Sequence, residues 1–516
     1  FMKFFKKSYF IFLFLCSILL SQNQTVGVFD YNEDVYNGYT LFSPSRDTYL
    51  INNCGQLMHS WSSDYQTGGS IYLLDDGSLL RTTKINDSNV FEGGGIGGGV
   101  EKLDWDGNVI WSYPYNSDTY HQHHDIEPMP NGNILVLCWE RLSAVKAIDL
   151  GRDPNYLIDN ELWTTYIMEV EPIAYDSINI VWEWHLKDHL IQDFDSTKNN
   201  YGVIGENPQL VDVNFFQAQG KKDWMHCNSI SYNALLDEIM ISSRTMSEIY
   251  IIDHSTTTLQ AASNTGGYHN KGGNIIYRWG NPQVYQRGGI NDRQLFGQHD
   301  AHWIPENYID GGNIMIFNNG RDRGYSSVNI IDPLKNTSGQ YLFDSNGVFF
   351  PDSAHWQYQD SNPQNFYSSY ISGSQRLPNG NTLICDGAHG TFFEIDKNKD
   401  VVWKYINPVL PNTILSQGDT IPTNQNGFAN SVFRCHRYSP SFNGFFGNDL
   451  SPLSPIEINP SQVNCEIVND IVYTNKTNKQ IIQIIDVIGR ESHITGTQFL
   501  LYIYSDGTVE KRFVIQ

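Results

Sequence analysis

Residues 298–324 read QHDAHWIPENYIDGGNIMIFNNGRDRG, and much of the chain repeats the plan of this stretch. Two histidines and an aspartate precede a Gly-Gly-Asn turn, an apolar run follows the turn, and two arginines stand in the next loop. Apolar residues that alternate on either side of a glycine turn are typical of paired β-strands. The stretch therefore predicts a buried strand that delivers a polar cluster to its end.

The composition favours a β-sheet protein. The chain has 516 residues, among them 43 glycines, 30 tyrosines, 27 phenylalanines and 12 tryptophans, and such an aromatic, turn-rich sequence is typical of sheet. Its formal net charge of -23 argues against nucleic acid or an anionic membrane surface as the natural partner. We expect one large all-β body with small appendages.

The first residues have the composition of a targeting segment. Lys3, Lys6 and Lys7 precede an apolar run over 9–20, and the chain becomes polar at Ser21. The run is too short for a comfortable membrane span. We therefore predict a cleaved secretory signal peptide over residues 1–23 and no stable membrane span.

The cysteines are widely spaced and carry no zinc-like or CxxC pattern. An even number in an exported protein permits disulfides, but isolated buried thiols are the simpler expectation, and the sequence leaves any pairing open. Six follow the signal peptide: Cys54, Cys138, Cys227, Cys385, Cys435 and Cys465.

A turn followed by an alternating apolar and aromatic run recurs along the chain, and such a repeat decides the fold before any single motif does. We interpret it as the outer strand of a repeated unit. The copies are GQLMHSW (55–61), GNVIWSY (107–113), NIVWEW (179–184), GNIIYRW (273–279) and DVVWKY (400–405), with a degenerate copy, SNGVFF (345–350).

A second phrase marks inner strands that end in a tight turn. Asn-Gly supplies the positive φ angles that hairpin turns need, and the alternation beside it fits half-buried strands. The copies are LLDDGSLL (73–80), PMPNGNILVL (128–137) and RLPNGNTLIC (376–385). Together the phrases predict about six units of short strands over residues 24–449, which is the layout of a six-bladed β-propeller. An array of β-sandwiches is the alternative architecture.

Propeller geometry turns the repeat into a prediction about function, because residues at matching positions before each inner strand converge on the central axis. Aligning the phrases sets HDI (124–126) over HDA (299–301), with His226 in the equivalent place ahead of NSI (228–230). We therefore expect His124, His226 and His299 to face one point. A single histidine at the end of a strand is usually a surface or capping residue. Three histidines at matching positions of the repeat indicate instead that they have a common role.

Other polar residues are expected near the three histidines. Arg321 and Arg323 follow the His299 strand by one hairpin and could return to the same mouth, where guanidinium groups bind tetrahedral oxyanions. His121, His123 and His302 are treated as neighbours of the cluster, and His389 as peripheral. Histidines from separate blades could also hold a metal, but no dense ligand spacing supports this, and we predict neither a metal nor another cofactor.

The stretch DWMHCNSISYNALLDEIMISSR (223–244), with QHDAHW (298–303) and FNNGRDRG (317–324), resembles the bacterial arylsulfate sulfotransferase family, six-bladed propellers that act outside the cytoplasm. The resemblance spans roughly residues 25–440. It implies transfer of a sulfuryl group from a phenolic sulfate ester to a phenol through a sulfated histidine, without a nucleotide sulfate donor.

The resemblance also implies roles for single residues. His226 matches the histidine of the DW-x-H motif, His299 that of the QH motif, and Arg323 the arginine that closes F-x-NG-x-x-R. They would bind and stabilise the transferring group, since charge develops on its equatorial oxygens.

Around these residues the family pattern is incomplete. Arg321, His302 and Trp303 are expected to bind substrate. The later blade offers Ser372, Ser374 and Gln375 where a covalent histidine is expected, and His389 and His436 are poor geometric substitutes. Either His299 or His124 would then carry the covalent step, or the chain is a relative whose chemistry has changed or been lost.

The C-terminal part is predicted to be a separate module. Residues 450–460 form a proline-rich linker, and residues 461–516 alternate like a small β-sandwich. The phrases QIIDVIGRES (483–492) and LLYIYSDGTVEKRFVIQ (500–516) resemble the sorting domain of the type IX secretion system in Bacteroidetes. This resemblance implies passage across the outer membrane and a secreted or cell-surface protein.

Three hypotheses follow from the sequence. The first is an exported propeller enzyme that moves sulfuryl groups between small phenolic donors and acceptors and uses the type IX machinery. The second is a noncatalytic extracellular propeller that binds a glycan or peptide at the same mouth. The third is a metal-dependent lyase or hydrolase.

Overall fold

The computed structural model describes residues 23–85, 90–424, 427–461, 463, 465, 481–486, 498–504 and 509–514. The chain divides into two compact units, Phe1–Glu466 and Ile467–Gln516. The predicted signal peptide lies, except for residue 23, outside the described residues. Within the described residues, no helix has both the length and the apolar character needed to cross a membrane.

The first unit is a six-bladed β-propeller, as predicted, and each blade is an antiparallel sheet. Five blades have four strands and the sixth has five. Blades 2 to 5 each use one continuous part of the chain. From the innermost strand outward they are Thr67–Leu73, Leu79–Lys84, Gly98–Leu103 and Val109–Pro114; Tyr120–Pro128, Ile134–Ser143, Glu161–Ala174 and Ser177–His185; Cys227–Asn233, Glu238–Ser243, Glu248–Asp253 and Ile275–Trp279; and His299–Trp303, Ile314–Asn318, Ser327–Ile331 and Trp356–Tyr358.

The two ends of the propeller close the ring in different ways. In blade 1, Cys435–Tyr438 supplies the innermost strand beside Tyr39–Phe42, Thr48–Asn52 and Leu57–Trp61. In blade 6, Gly27–Tyr31 adds a fifth, outermost strand to Gly373–Arg376, Thr382–Asp386, Thr391–Ile395 and Val401–Ile406. Strands from both ends of the propeller segment are thus paired into blades 1 and 6, which closes the ring.

Helical structure among the described residues is short and lies in connections. The α-helices are Ala144–Asp149 and Thr258–Ala261; the 3-10 helices are Pro154–Tyr156, Leu186–His189, Ile204–Glu206, Phe216–Ala218, Pro282–Tyr285, Ile290–Asp292, Pro363–Asn365, Gly387–His389 and Asn443–Phe445. Three two-stranded ribbons accompany them: Leu190–Ile191 with Val211–Asp212, Val409–Leu410 with Thr413–Ile414, and Thr423–Asn424 with Gly427–Phe428.

The outer-strand phrase marks the fold because its tryptophans join neighbouring blades. In each of these copies the indole N–H of one tryptophan donates to a backbone carbonyl of the next blade, so a buried aromatic ring is packed and its polar atom is satisfied at the same time. The pairs are Trp61 with Asp104, Trp111 with Ser177, Trp184 with Gly273, Trp279 with Pro351, and Trp403 with Asn53.

The degenerate outer copy is placed differently from the prediction. Residues 345–350 do not form the outer strand of blade 5, whose fourth strand is Trp356–Tyr358. Instead, Phe349 is buried and packs against Tyr277 of blade 4, with ring centroids 5.6 Å apart. The phrase imitates an outer strand because it packs aromatic residues, but it does so from a connecting segment.

The cysteines follow the expectation in part. Cys138, Cys227, Cys385 and Cys435 are free and buried. Cys54 and Cys465 form a disulfide instead, which corrects the expectation of six isolated thiols. Cys54 follows a blade 1 strand, so the bridge fixes residue 465 to that blade.

The segment predicted to be a linker is bonded to the propeller. The Leu57 backbone N–H donates to Ser454 O, and its carbonyl accepts from Leu453 N. Gln56 forms a β-bridge with Pro455, and Ile456 is buried in the core beside blades 1 and 6.

In the second unit, the described residues form one three-stranded antiparallel sheet of Ile481–Asp486, Gln498–Tyr504 and Val509–Val514. The remaining residues of the predicted C-terminal sandwich lie outside the described part of the chain. The sandwich is therefore not confirmed.

Candidate active site

The mouth of the propeller is the edge at which innermost strands begin and second strands end. In blade 5 His299 pairs with Phe317, in blade 4 Cys227 pairs with Ser243, and in blade 6 Gly373 pairs with Cys385. Residues just before an innermost strand and just after a second strand therefore meet at the same edge. This is where the sequence predicted the polar cluster.

The structure brings the three predicted histidines together at this edge. The rings of His124 and His226 meet edge to face with centroids 4.7 Å apart. Burial lowers the pKa of both His124 and His299 well below the usual value for histidine. At neutral pH, His124 and His299 are therefore neutral imidazoles.

The register of the three histidines differs from the alignment. Hydrogen bonds between neighbouring innermost strands make Asp125, Ser229 and Asp300 equivalent, so Asn228 is the counterpart of His124 and His299. His226 stands two residues earlier, nearer the loops of the mouth. The bonds are Ile230 N to Asp125 Oδ2 (3.1 Å), Ala301 N to Ser229 Oγ (3.1 Å) and Ser374 N to Asp300 Oδ2 (2.8 Å).

Two of the histidines occupy strained backbone conformations. His124 has a φ of 51° and His226 a φ of 48°, in the left-handed region that non-glycine residues rarely adopt. Such a residue costs of order 1 kcal/mol or more and persists only where its surroundings enforce it. The strain therefore marks the position of these two side chains as constrained by the site.

Asp223 fixes the tautomer of His226. Its Oδ2 lies 2.5 Å from His226 Nδ1, and its Oδ1 accepts from the His226 backbone N–H and from Trp139 Nε1, each at 3.1 Å. Burial would raise the pKa of Asp223, but His226 holds it below its ordinary value, so the carboxylate is charged. With Nδ1 as the donor, Nε2 of His226 carries the lone pair.

Asn319 fixes the tautomer of His299. The Asn319 side-chain N–H groups donate to the carbonyls of Ser368 and Ile371, at 2.7 and 2.9 Å, which leaves its oxygen as the acceptor. That oxygen lies 2.7 Å from His299 Nδ1, so Nδ1 carries the proton and Nε2 the lone pair.

A glycine-rich loop closes over His124. The His124 backbone N–H donates to Gly95 O at 2.6 Å, and its Nδ1 lies 2.9 Å from Nδ1 of His123. A Cβ at Gly95, where φ is 75°, would lie 2.0 Å from His124 Nε2. The imidazole thus occupies the space that a side chain at residue 95 would need, so glycine is required there.

A cavity of about 510 Å³ opens at the mouth beside this cluster. His226 lines it together with the carboxylates Glu92 and Asp223 and with Trp163. Its remaining charged lining is basic: Lys221, Lys222, Arg244 and Arg321. A small anion is therefore the ligand that the charge of this cavity favours.

Three of the four basic side chains are uncompensated. Among the described residues, the side chains of Lys221, Arg244 and Arg321 make no hydrogen bond or ion pair, whereas Lys222 Nζ lies 2.6 Å from Asp159 and 3.1 Å from Glu161. Burial, and then the charge of Arg321, lower the pKa of Arg244 to about 10. An anion between these groups would relieve their repulsion.

Arg323 occupies a different place from the one that the family motif implied. Its guanidinium is held within its own loop by Tyr325 O (3.1 Å) and Ser327 Oγ (2.5 Å), and it stacks on the Tyr325 ring at 4.3 Å from the centroid. Arg321, two residues earlier, lines the cavity. The structure thus brings Arg321, and not Arg323, to the cavity.

His302 and Trp303, expected to bind substrate, lie farther along the innermost strand of blade 5. They pair with Met315 and Ile314, toward the end of the strand away from the mouth. His302 Nδ1 is 3.1 Å from the Asp300 carbonyl, and Trp303 packs against the hydrophobic core. The structure does not bring either one to the cavity.

His389 stands at the mouth edge, although the sequence interpretation treated it as peripheral. It follows the second strand of blade 6, and Gly387 N donates to Ser372 Oγ at 3.0 Å. The Nδ1 atom of His389 contacts both oxygens of Asp386, at 2.8 and 2.9 Å, and the His389 side chain is 39% exposed. His436, by contrast, is half-buried within the innermost strand of blade 1 against Tyr72.

A buried ion triad spans the axis near the histidines. Arg434, just before the closing strand of blade 1, lies 3.0 Å from Asp125 of blade 3 and 3.2 Å from Asp300 of blade 5. Since Asp125 and Asp300 directly follow His124 and His299, this triad fixes the backbone that carries both imidazoles.

Sequence reasoning missed Lys221 and Arg244, which belong to no repeated phrase. One signal was available: Arg244 follows the second strand of blade 4 much as Arg321 follows the second strand of blade 5. Among the described residues, no group of three or more histidine, cysteine, aspartate or glutamate side chains could hold a metal ion. The absence of a cofactor stays a prediction.

Comparison with known proteins gives one family match. The family model described as arylsulfotransferase (ASST) matches residues 43–414. No curated protein matches the sequence significantly.

Solved structures with similar folds have low sequence identity. A protein of unknown function from Bacteroides caccae has 10% identity and a TM-score of 0.41, covering 78% of this chain and 98% of its own. A catalytically inactive virginiamycin B lyase from Staphylococcus aureus has 8% identity and a TM-score of 0.34, covering 75% and 90%. Likenesses this weak have no bearing on function.

Proposed function

The chain belongs to the arylsulfotransferase (ASST) family, and from this premise we propose that it transfers a sulfuryl group from a phenolic sulfate ester to a phenol without a nucleotide sulfate donor. The observation that carries the proposal is the Asp223–His226 pair, which opens into a cavity with uncompensated cations. A nucleophile with a fixed tautomer beside an anion site is the arrangement that group transfer through histidine requires.

His226 is the nucleophile in this proposal. Its Nε2 lone pair forms a bond to sulfur while the bond from sulfur to the ester oxygen breaks, and the phenolate leaves with the electron pair. The sulfated imidazole carries a positive charge, which the Asp223 carboxylate stabilises through the Nδ1 proton. Arg244 and Arg321 neutralise the sulfuryl oxygens as charge develops on them.

The second half of the reaction uses the same site. The oxygen of the acceptor phenol attacks sulfur, the nitrogen–sulfur bond breaks, and the pair returns to His226 Nε2. We assign the acceptor's proton to His299, because this imidazole is neutral and Asn319 leaves its Nε2 free to accept. His124 packs edge to face on the His226 ring and orients it.

Export is a further part of the proposal. The disulfide between Cys54 and Cys465 is typical of proteins that fold in an oxidising compartment, and the basic and apolar composition of residues 3–20 is typical of a secretory signal. The phrases at 483–492 and 500–516 favour delivery by the type IX machinery to the cell surface or the medium.

The test is transfer from 4-nitrophenyl sulfate to phenol by the purified protein. We expect nitrophenol release that depends on phenol, and, in a quenched reaction without acceptor, one sulfuryl group on the peptide that contains His226. Replacing Asp223 with Asn should lower kcat by roughly 10²- to 10⁴-fold, because the tautomer of His226 is no longer fixed.

A matched control is available in blade 6, where His389 and Asp386 form a second histidine–aspartate pair with the same spacing. His226→Gln should abolish transfer and His389→Gln should preserve it. Loss of transfer in His389→Gln with full activity in His226→Gln would refute the assignment of the nucleophile. Release of nitrophenol that ignores phenol would indicate hydrolysis, and no release from the folded protein would indicate a binding propeller.

A further inference from the structure

The mouth cavity has three cationic side chains without an ion-pair partner among the described residues, and a single sulfate group does not require all three. The side chains of Lys221, Arg244 and Arg321 make no hydrogen bond or ion pair among the described residues, and the Asp223 carboxylate is hydrogen-bonded to His226. Glu92 is the other carboxylate of the lining, and it is exposed. An aryl sulfate with an uncharged ring brings a single oxyanion, whereas three cationic side chains of the lining make no hydrogen bond or ion pair with the described residues.

The three cations lie close enough to act together. A Cβ at Gly297 would meet Arg321 Cδ at 3.3 Å and Arg244 Cγ at 3.8 Å, so both stems border one point. Burial lowers the pKa of Lys221, and the charges of Arg244 and Arg321 lower it further, which places the ammonium within their field. Arg244 is half-buried, while Lys221 and Arg321 are exposed at the rim.

We propose that the preferred substrates are aromatic sulfates that carry a second oxyanion, a carboxylate or another sulfate on the ring, and that Lys221 at the rim recognises this second charge. The inference rests on the proposed function and deepens it. The half-buried Arg244 and its neighbour Arg321 face the transferring sulfuryl group, which leaves Lys221 as the cation for the distal group.

The transfer assay compares two donors of nearly equal shape, 4-carboxyphenyl sulfate and 4-carbamoylphenyl sulfate, with phenol as the acceptor. We expect kcat/KM to be about three- to tenfold higher for the carboxylate donor, mostly through a lower KM, because the charge pair is partly exposed. The preference should shrink at high ionic strength, which screens the pair. Lys221→Met should bring the two donors to near parity.

Lys222 supplies the matched control, because its ammonium is already neutralised by Asp159 and Glu161. Lys222→Met should keep the preference for the carboxylate donor. Equal kcat/KM values for both donors in the unmodified protein, or a preference that survives Lys221→Met, would overturn the inference and leave the proposed function intact.

A binding measurement separates this inference from the proposed chemistry. Sulfonates cannot transfer their sulfur group, so calorimetry with 4-sulfobenzoate, benzene-1,4-disulfonate and 4-carbamoylbenzenesulfonate reads the cavity charge without turnover. Tighter binding of the two dianions that is lost in Lys221→Met supports the inference even if no donor is turned over. Equal binding of all three ligands contradicts it.

Discussion

Arg321 and Arg323 stand two positions apart, yet their guanidinium groups have opposite surroundings. Arg321 lines the cavity without a partner among the described residues, while Arg323 is bonded to Tyr325 O and Ser327 Oγ and stacked on Tyr325. The sequence motif assigns the oxyanion to Arg323. That assignment fails because residue spacing does not show which of the two side chains folds back onto its own loop.

The two arginines therefore predict a separation of activity from stability. Arg321→Gln should lower kcat/KM by roughly 10²- to 10³-fold, as when one donor to a developing oxyanion is removed. Arg323→Gln should keep kcat/KM but lower the free energy of unfolding by about 1–3 kcal/mol, because Ser327 and the Tyr325 carbonyl lose a partner. Transfer kinetics and urea unfolding of both variants check this. A large loss of kcat/KM in Arg323→Gln with unchanged kcat/KM in Arg321→Gln would show that Arg323, and not Arg321, binds the oxyanion.

At the scale of strands and turns, His254 joins blade 3 to blade 4. It follows the third strand of blade 4, and its Nδ1 lies 2.7 Å from Asp237 in the same blade, while its Nε2 lies 3.0 Å from Glu169 of blade 3. Burial alone would lower the pKa of His254, but the bonds to both carboxylates raise it to about 9. The imidazolium is thus the bridge between the two sheets.

This bridge predicts a loss of stability at alkaline pH. Since the folded pKa of about 9 exceeds the unfolded value of 6.5, the contribution of His254 is complete below pH 6.5 and disappears as the pH rises through 9. We expect the difference in unfolding free energy between the unmodified protein and His254→Gln to fall by about 2–3 kcal/mol over that range. Urea unfolding at several pH values measures it, and a difference that stays constant with pH would contradict the bridge.

Across the whole molecule, the sequence predicts the six blades because the same residues that define the repeat also join the blades. Trp61, Trp111 and Trp403 are recognisable in the outer-strand phrase and each binds the next blade through its indole N–H. The closing strand Cys435–Tyr438 and the extra strand Gly27–Tyr31 carry no such phrase. Their pairing depends on which edges the finished ring leaves open, which no local pattern encodes.

The residues of the candidate site also fall into two groups, those that the sequence predicts and those that it does not. His124, His226 and His299 are found from the repeat: His226 and His299 stand at the start of innermost strands, and His124 lies in the middle of one. Lys221 and Arg244 are not, because an insertion carries the first and a connecting loop the second. Charges on such loops become neighbours only when the ring closes.

The triad of Arg434, Asp125 and Asp300 joins the segment that closes blade 1 to blades 3 and 5. Arg434 contacts both carboxylates at 3.0 and 3.2 Å, and all three side chains are buried. Burial would raise the pKa of Asp300, but Arg434 holds it below its ordinary value. Removing the guanidinium therefore leaves buried negative charge without a cation, which is among the most destabilising changes that a core can undergo.

Arg434→Met should accordingly lower the free energy of unfolding by about 3–5 kcal/mol at pH 8. The loss should shrink toward pH 5, because a buried carboxylate without its cation takes up a proton at higher pH than usual. Arg141→Met, which removes a half-exposed guanidinium from Glu161, is the control and should cost under about 1 kcal/mol at either pH. Urea unfolding of both variants at pH 5 and pH 8 decides the matter: an equal loss for Arg434→Met at the two pH values would mean that packing, and not charge, holds the axis together.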